Sequence, residues 1–291
     1  MIISKVELRF FTNMQLLCRE KKIFFDSPLI MGILNVTPDS FFDGGTLLSE
    51  KHFLQRVEKM LTEGGSILDV GGMSSRPGAN IISEQEELKR VLPAVELLVK
   101  HFPDAVISVD TIRAKVAHES LLMGAHIIND ISAARFDAKM LDTVVKHNAP
   151  LILMHMQGLP SSMQQNPQYD DVVNEVFLFF EERIEACKNA GVQQLILDVG
   201  FGFGKTVQHN YTLLKNLEKF RKFELPLLAG LSRKSMICKV LNVEPEDALN
   251  GTTVLHTLAL LNGADILRVH DAKEARQVKE ILEVYKQNVS K

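Results

Sequence analysis

The chain contains eight short apolar runs, and a polar or charged residue follows each of them. The runs are residues 29–34 before Asn35, 67–68 before Asp69, 105–109 before Asp110, 126–128 before Asn129, 150–154 before His155, 195–197 before Asp198, 226–231 before Ser232, and 265–267 before Arg268. Runs of this length between turn signals are typical of buried strands in a parallel sheet. When such a sheet closes on itself, the carboxyl ends of its strands meet at one mouth, so the polar residues indicate a single functional site.

Segments with the spacing of amphipathic helices lie between the runs, so that strand and helix alternate about eight times. These patterns include residues 49–61, 83–100, 170–190, 209–222, 247–261 and 272–287. Ser83 followed by Glu86 is typical of a capping box, and Pro93 predicts a bend or a break in that helix. Eight units without a linker favour a (β/α)8 TIM barrel over an open doubly wound sheet, which usually has fewer units.

The first 28 residues precede the first barrel strand. Their mixed apolar pattern, at residues 2–10 and 23–25, predicts a hairpin that closes the floor of the barrel. We therefore expect a short N-terminal extension over residues 1–28 and a single domain over residues 29–291.

The composition excludes several classes of partner. A formal net charge of −3 provides no field that favours nucleic acid or anionic lipid. No segment reaches the roughly 18 apolar residues of a membrane helix, and the charged N-terminus is not typical of a signal peptide. Cys18, Cys187 and Cys238 are odd in number and widely spaced, which predicts free thiols in the cytoplasm.

Two predicted loops carry charged residues on a glycine-rich backbone. Residues 35–45, which include Asp43, are typical of a mobile lid, although a plain surface turn fits the same spacing. Residues 69–78 combine glycines with Arg76, whose donors suit a phosphate. Asp69 at the start of this loop either serves the site or accepts hydrogen bonds from loop amides.

The loop after the sixth run superficially resembles a phosphate-binding loop, since Gly204 and Lys205 precede a threonine. The Walker pattern requires four residues between its first glycine and the Gly-Lys pair. Only three residues separate Gly200 from Gly204, so we reject nucleoside triphosphate binding. Phe201 and Phe203 predict an aromatic platform for a flat ligand, with burial in the core as the alternative for both.

The last two runs are followed by cationic groups. Residues 232–235 lead into a helix, and a helix start with a serine and a cation is a favourable anion site. Arg268 and His270 lie two residues apart and therefore share a face of their strand. If that face lines the barrel, they form a cationic pair suited to a diphosphate; the alternative is that Arg268 only pairs with a neighbouring carboxylate.

Asp110, Asn129 and Asp198 end the third, fourth and sixth runs. Buried carboxylates and amides are costly unless a ligand or a partner satisfies them. A flat heterocycle with a 2-amino group and ring N–H groups meets this need, because a carboxylate accepts two parallel N–H bonds. We expect His155, by contrast, to be a packed and hydrogen-bonded histidine.

Eight motifs in order resemble the dihydropteroate synthases, a family of folate-pathway enzymes, over roughly residues 29–285. They are MGILNVTPDSF, DVGG with SRPGA, SVDT, IIND, LMHMQG, GFGFGK, LSRKSM and RVHD. The resemblance implies a TIM barrel, a homodimer and Mg2+ as cofactor, in a family that is a sulfonamide target. It also implies two small-molecule substrates, 6-hydroxymethyl-7,8-dihydropterin diphosphate and 4-aminobenzoate, which yield 7,8-dihydropteroate and pyrophosphate.

The resemblance implies roles for individual residues as well. The pterin is assigned to Asp110, Asn129, Asp198 and Lys234. The diphosphate is assigned to Asn35, Arg76, Arg268 and His270, with Asn35 as the Mg2+ ligand. The aminobenzoate is assigned to Phe41, Ser75, Arg76, Pro77, Phe203 and Ser235. The catalytic set is Asp43, Lys234, Arg268 and His270, in which Asp43 faces a cationic intermediate.

The chain departs from the family pattern at a few positions. Met73 and Ser75 stand where the family often has Glu and Thr, Val199 replaces a common proline, and Phe42 replaces a small polar residue. Three alternatives remain: a pterin-dependent methyltransferase on a similar barrel, a non-catalytic pterin-binding paralogue, and a carrier or scaffold barrel. The aminobenzoate motifs argue against the first, and the intact site residues argue against the other two.

Overall fold

The computed structural model of the protein describes residues 14–36, 47–73, 82–158, 163 and 166–289. An antiparallel hairpin comes first, formed by β1 (Gln15–Cys18) and β2 (Lys21–Phe24). Parallel strands follow: β3 Leu29–Asn35, β4 Ile67–Gly71, β5 Val106–Asp110, β6 Ile127–Asp130, β7 Leu151–Met154, β8 Leu195–Asp198, β9 Leu227–Ala229 and β10 Ile266–Val269. They close into a barrel in the order β10-β3-β4-β5-β6-β7-β8-β9, which confirms the predicted (β/α)8 TIM barrel.

Helices connect successive barrel strands and cover the outside of the barrel. They are α1 Leu47–Thr62, α2 Glu84–His101, α3 Ala114–Met123, α4 Met140–His147, α5 Val172–Ala190, α6 Val207–Lys215, α7 Ser235–Leu241, α8 Leu249–Leu261 and α9 Ala272–Val289. Local chemistry fixes several of their ends: the Ser83 side chain caps α2, and Asp171 Oδ1 accepts two N–H groups at the start of α5. Among the helices described, none has the length and apolar composition that crossing a membrane requires.

Two expectations about helices need correction. Of the bend or break expected at Pro93, the break does not occur, since α2 continues through it to His101, and the bend stays a prediction. The buried face of α2, which includes Val91, Val95 and Leu98, outweighs the roughly 3 kcal/mol that an internal proline costs. The pattern over residues 209–222 is also not one helix. α6 stops before Asn216, whose side chain bonds to a backbone oxygen one turn earlier, and a 3-10 helix over Leu217–Phe223 follows.

The register of the strands places three of the polar residues, Asn35, Asp110 and Asn129, in one row across neighbouring strands. Asn35 pairs with Gly71, Gly71 with Asp110, and Asp110 with Asn129. Asp198 is the register partner of Met154 on β7. Because these positions lie at the ends of their strands, the side chains are collected at the carboxyl end of the barrel.

The opposite end of the barrel is filled by apolar side chains. Leu16, Cys18, Ile23 and Phe25 of the hairpin region are buried against residues that begin the barrel strands, among them Ile67. Burying a large apolar side chain stabilises a fold by about 1.5–3 kcal/mol, so this contact holds the hairpin on the barrel. The division of the chain at residue 28 stays a prediction.

Candidate active site

A network of charged side chains lies inside the carboxyl end of the barrel. Arg268 donates from Nε to Asp69 Oδ2 at 2.6 Å and from Nη2 to Asp110 Oδ2 at 2.8 Å. Asn129 Nδ2 donates to the same Asp69 oxygen at 3.0 Å. Asp69, Asp110 and Asn129 are buried, so these bonds are shielded from water and fix side chains of three strands around one guanidinium.

Burial sets the ionisation of this network. It raises the pKa of Asp110 to about 7, the positive charge of Arg268 opposes the shift, and the like charge of Asp69 adds to it. For Arg268, burial acts to lower the pKa, but the two carboxylates outweigh it and hold the pKa above its usual value. The guanidinium therefore stays charged, while burial makes Asp110 easier to protonate than an ordinary carboxylate.

A second pair of charged groups, Asp198 and Lys234, contacts the loop after β8. Asp198 Oδ1 accepts the Gly200 N–H at 2.8 Å. Lys234 Nζ donates to the Phe201 carbonyl and lies 4.8 Å from the centre of the Phe203 ring. Burial raises the pKa of Asp198 and lowers that of Lys234 to about 8, and their mutual attraction opposes both shifts. Both groups have lost water, so a polar ligand that bonds to them restores part of that solvation.

A cleft of about 1080 Å3 reaches the two basic residues of these networks, Lys234 and Arg268. The described residues that line it include Asn35, Phe203, Lys234, Arg268 and His270. The backbone N–H of His270 donates to the Ser232 hydroxyl at 3.2 Å, and its Nδ1 lies 3.0 Å from the same oxygen. This contact orients the imidazole at the end of β10, on the side of the cleft where Arg268 lies.

Arg233 ties two loops of this rim together. Its guanidinium contacts both oxygens of Asp271 at 2.8 and 2.9 Å, and Nη1 donates to the carbonyls of Pro245 and Glu246 at 3.0 and 2.8 Å. Its backbone lies in the left-handed region at φ 54°. Since the residues on either side of it line the cleft, this clamp fixes the loop that presents them.

The structure brings together the predicted site residues that it describes. Asn35, Phe203, Lys234, Ser235, Arg268 and His270 line the cleft, Asp110 and Asn129 join it through the Arg268 network, and Asp198 interacts with Lys234. Five predicted residues lie outside the described residues: Phe41, Asp43, Ser75, Arg76 and Pro77. Phe42, one of the departures from the family pattern, also lies there.

The alternatives left open for aromatic residues now separate. Phe201 is fully buried in the main core, whereas Phe203 packs with Met154 and Met156 at the mouth and lines the cleft. Of these two rings, Phe203 is therefore the one that lines the cleft. His155 is buried, and its Nδ1 lies 2.9 Å from the amino group of Lys205, in agreement with the packed histidine expected from the sequence.

Two residues of this region were not assigned to the site from the sequence. Asp69 bonds to Arg268 and Asn129, and its other oxygen, Oδ1, is buried without a hydrogen bond to any described residue; the loop amides of residues 74–78 lie outside the described residues. The available signal was its position at the end of a run, the same as that of Asp110. Lys205 is buried beneath the loop after β8. The sequence of this loop resembles a phosphate-binding loop, and that resemblance drew attention away from a structural role for the lysine.

The donor set fits a metal ion that is held largely by a substrate. Among the described residues, no group of three or more His, Cys, Asp or Glu side chains could hold a metal. Asn35, whose side chain carries a carboxamide oxygen, lines the same cleft as Arg268 and His270. Mg2+ usually keeps several waters and binds through one or two protein oxygens together with substrate phosphates, so this arrangement fits Mg2+.

Comparison with known proteins agrees with this geometry. Residues 31–270 match the family model described as pterin binding enzyme. A dihydropteroate synthase of Escherichia coli K12 is 46% identical over 272 residues, which is 93% of this chain and 96% of the relative. One from Haemophilus influenzae is 48% identical over 260 residues, or 89% and 94% of the two chains.

Solved structures show the same likeness. The dihydropteroate synthase of Yersinia pestis, solved with a sulfonamide drug, has a TM-score of 0.88 at 46% identity and covers 94% of this chain and 100% of its own. The enzyme of Xanthomonas albilineans in complex with 7,8-dihydropteroate has a TM-score of 0.83 at 37% identity, with coverages of 94% and 99%. The family predicted from the motifs is thus confirmed: this chain belongs to the dihydropteroate synthases.

Proposed function

We propose that the protein condenses 6-hydroxymethyl-7,8-dihydropterin diphosphate with 4-aminobenzoate to give 7,8-dihydropteroate and pyrophosphate. Its family makes it a transferase of folate biosynthesis. One observation carries the proposal: a single rim joins acceptors for a flat heterocycle with cationic groups for a diphosphate. A pterin-dependent methyl transfer has no need of the second set.

The pterin ring is assigned to Asp110, Asn129, Asp198 and Lys234. The Asp198 carboxylate accepts hydrogen bonds from the 2-amino group and the adjacent ring N–H, while Lys234 donates to the carbonyl oxygen of the pterin. Two parallel N–H bonds to one carboxylate are charge-assisted and geometrically specific. The Gly200 N–H bond already orients Asp198 before a ligand arrives, which lowers the entropic cost of binding.

The leaving diphosphate is assigned to Asn35, Arg76, Arg268 and His270. The bond between the methylene carbon and the diphosphate oxygen breaks, and its electron pair leaves on that oxygen. Arg268 and His270 neutralise the charge that develops there, and they are already oriented by Asp69 and Ser232. The electron-rich dihydropterin delocalises the remaining positive charge, so the path is dissociative, with Asp43 beside the cation.

The nucleophile is the amino group of 4-aminobenzoate. This amine is neutral near pH 7, so it forms the new C–N bond and then releases a proton without a strong general base. Its ring is assigned to Phe203 together with Phe41, Ser75, Arg76 and Pro77. Its carboxylate is assigned to Ser235, the first residue of α7. Because α7 has only seven residues, we assign the binding to the Ser235 hydroxyl and the unpaired N–H groups of the first turn, not to the dipole of the helix.

Mg2+ is the proposed cofactor, with Asn35 as its protein ligand. When bound, the ion supplies positive charge to the diphosphate oxygens. Its dependence on the substrate for further ligands predicts weak binding to the enzyme alone. Titration of Mg2+ into the free protein and into its complex with pyrophosphate tests this, with tighter binding expected only in the second case.

The activity is tested by measuring pyrophosphate release with both substrates, with and without Mg2+. We expect release only when both substrates and the ion are present, together with 7,8-dihydropteroate identified by mass spectrometry. A sulfonamide competes with 4-aminobenzoate in this assay, as expected from the drug complex of the Yersinia pestis relative. Pterin binding without product would support the non-catalytic alternative, and methyl transfer without pyrophosphate would support the methyltransferase.

We also propose a homodimer in the cytoplasm. Val240 and Leu241 on α7 and Val254 and Leu258 on α8 are exposed apolar residues, which supports contact with a second copy of the chain. The three cysteines are free, which supports a reducing compartment. Sedimentation of the purified protein tests the assembly, and a mass of a single chain at micromolar concentration would contradict it.

A further inference from the structure

The loop after β8 is curled around the side chain of a buried lysine. Lys205 Nζ lies 2.9 Å from His155 Nδ1 and 3.3 Å from the His155 backbone oxygen. It also lies 3.0 and 3.1 Å from the backbone oxygens of Gly200 and Phe203. None of these four partners is a carboxylate, so the lysine donates hydrogen bonds to neutral acceptors and does not form an ion pair with them.

The glycines of the loop allow this curl. Gly200 and Gly204 have φ angles of +69° and +62°, which favour glycine. A Cβ on Gly200 would lie 1.9 Å from the His155 oxygen, and one on Gly204 would lie 2.3 Å from the Gln157 oxygen. The loop is therefore pressed against the chain that follows β7, and Lys205 is the donor that joins the two segments.

The other side of the same loop makes the contacts that the site uses. Its Gly200 N–H holds Asp198, its Phe201 carbonyl accepts from Lys234, and its Phe203 ring lies beside the Lys234 amino group. A change of loop conformation therefore alters the groups assigned to the pterin and the wall assigned to the aminobenzoate together.

Burial affects the pKa values of both Lys205 and His155, and it shields the hydrogen bonds between them from solvent. Burial lowers the pKa of Lys205 well below its usual value, and the Asp198 carboxylate acts in the opposite direction. Burial and the neighbouring Lys205 lower the pKa of His155 as well, so its imidazole is neutral and offers an acceptor nitrogen. The ring is fixed by an edge contact with Phe179, with 4.8 Å between the ring centres.

We propose that Lys205 is a positioning residue for the reaction. Its amino group donates hydrogen bonds to the carbonyls of the loop after β8 and to the imidazole of His155, and these bonds hold Asp198, Lys234 and Phe203 in the geometry that the reaction requires. This role rests on the proposed functions of Asp198 and Lys234. It differs from a purely structural role, which would affect the amount of folded enzyme but not its affinity for substrates.

The test is steady-state kinetics of Lys205→Met, at a temperature well below its unfolding midpoint. The thioether has a similar length but no donor, so four acceptors lose their partner. Unsatisfied buried acceptors cost enough to shift the loop, so we expect KM for both substrates to rise about 10-fold or more, with a smaller fall in kcat. The matched control is Lys188→Met on the exposed surface of α5, for which wild-type constants are expected.

A folded Lys205→Met enzyme with both KM values within about 2-fold of wild type overturns the proposal. If Lys205→Met does not fold, His155→Phe replaces it, because phenylalanine keeps an aromatic ring at this position and removes the acceptor nitrogen. That variant is expected to raise both KM values about 3-fold, and wild-type values for it overturn the proposal. Wild-type enzyme is assayed in parallel, so a failure of the proposed activity itself is recognised by the absence of pyrophosphate release in every sample.

Discussion

At the scale of single residues, the site consists of charged side chains that the barrel has removed from water. Asp110, Asp198 and Lys234 have shifted pKa values for the same reason, burial, and each is held by a neighbour of opposite charge or by a backbone group. Such groups lose solvation energy on folding and regain it when a complementary ligand binds. The affinity of the site is therefore expected to depend on individual polar atoms.

Asp198→Ala removes the acceptor assigned to the amino edge of the pterin. Because two charge-assisted hydrogen bonds are lost, we expect pterin affinity to fall about 100-fold or more, measured by calorimetry. Asp142→Ala on the exposed side of α4 is the control and should retain wild-type affinity. Unchanged binding by Asp198→Ala would remove this residue from the pterin site.

Asp110 predicts a pH dependence of stability. Burial raises its pKa in the folded protein from the ordinary value of 3.8 to about 7. Between these two values the folded state holds a proton that the unfolded state has lost. The contribution of Asp110 to stability therefore falls as pH rises, and it levels off above pH 7.

Asp110→Asn removes this proton linkage. Relative to wild type, the variant should become more stable from about pH 5 to pH 7, by up to about 1.4 kcal/mol per pH unit, with little further change at about pH 8. Urea denaturation at each pH measures the difference. Parallel stability profiles of the two proteins would show that Asp110 is ionised throughout.

At the scale of elements, loops that follow the barrel strands are joined to one another by side chains. Lys205 joins the loop after β8 to the end of β7, and Arg233 joins the loop after β9 to that after β10. These joints lie under or beside the cleft, so they transmit a change in one loop to another. The mobility of the rim is thereby restricted where the reactants are proposed to bind.

Arg233→Lys tests the second joint. Lysine keeps the positive charge and the same backbone strain, but it lacks the fork that contacts both oxygens of Asp271. We expect kcat/KM to fall about 10-fold, because the neighbouring Lys234 shifts. Asp271→Asn should lower kcat/KM by a similar factor. The variant that carries both Arg233→Lys and Asp271→Asn should lose no more than either single variant, and additive losses of kcat/KM would show that the two residues act separately.

At the scale of the whole molecule, the sequence predicted the layers of the fold better than the contacts within the site. The endings of the apolar runs identify every barrel strand, since a buried parallel strand leaves a strong local pattern. The continuity of the helices was predicted less accurately, as α2 at Pro93 and the end of α6 near Asn216 show. The bond between Arg268 and Asp69 spans 199 residues of sequence, and only closure of the barrel brings its partners together.

The closed floor of the barrel allows a matched comparison of two neighbouring residues. Phe25 is 2% exposed within the apolar floor, whereas Phe24 is 53% exposed. We expect Phe25→Ala to reduce the free energy of unfolding by about 3–5 kcal/mol and Phe24→Ala by less than about 0.5 kcal/mol. Chemical denaturation measures both, and equal losses would show that the hairpin does not contribute to the barrel core.

The hairpin has one further consequence, which concerns the order of events during turnover. Since it covers one end of the barrel, we expect small molecules to arrive and depart through the opposite opening. Asp198 ends a barrel strand, while Ser235 begins a helix on the rim. With the pterin assigned to Asp198 and the aminobenzoate to Ser235, we expect the pterin to enter first, because an aromatic amine bound nearer the opening would obstruct its route.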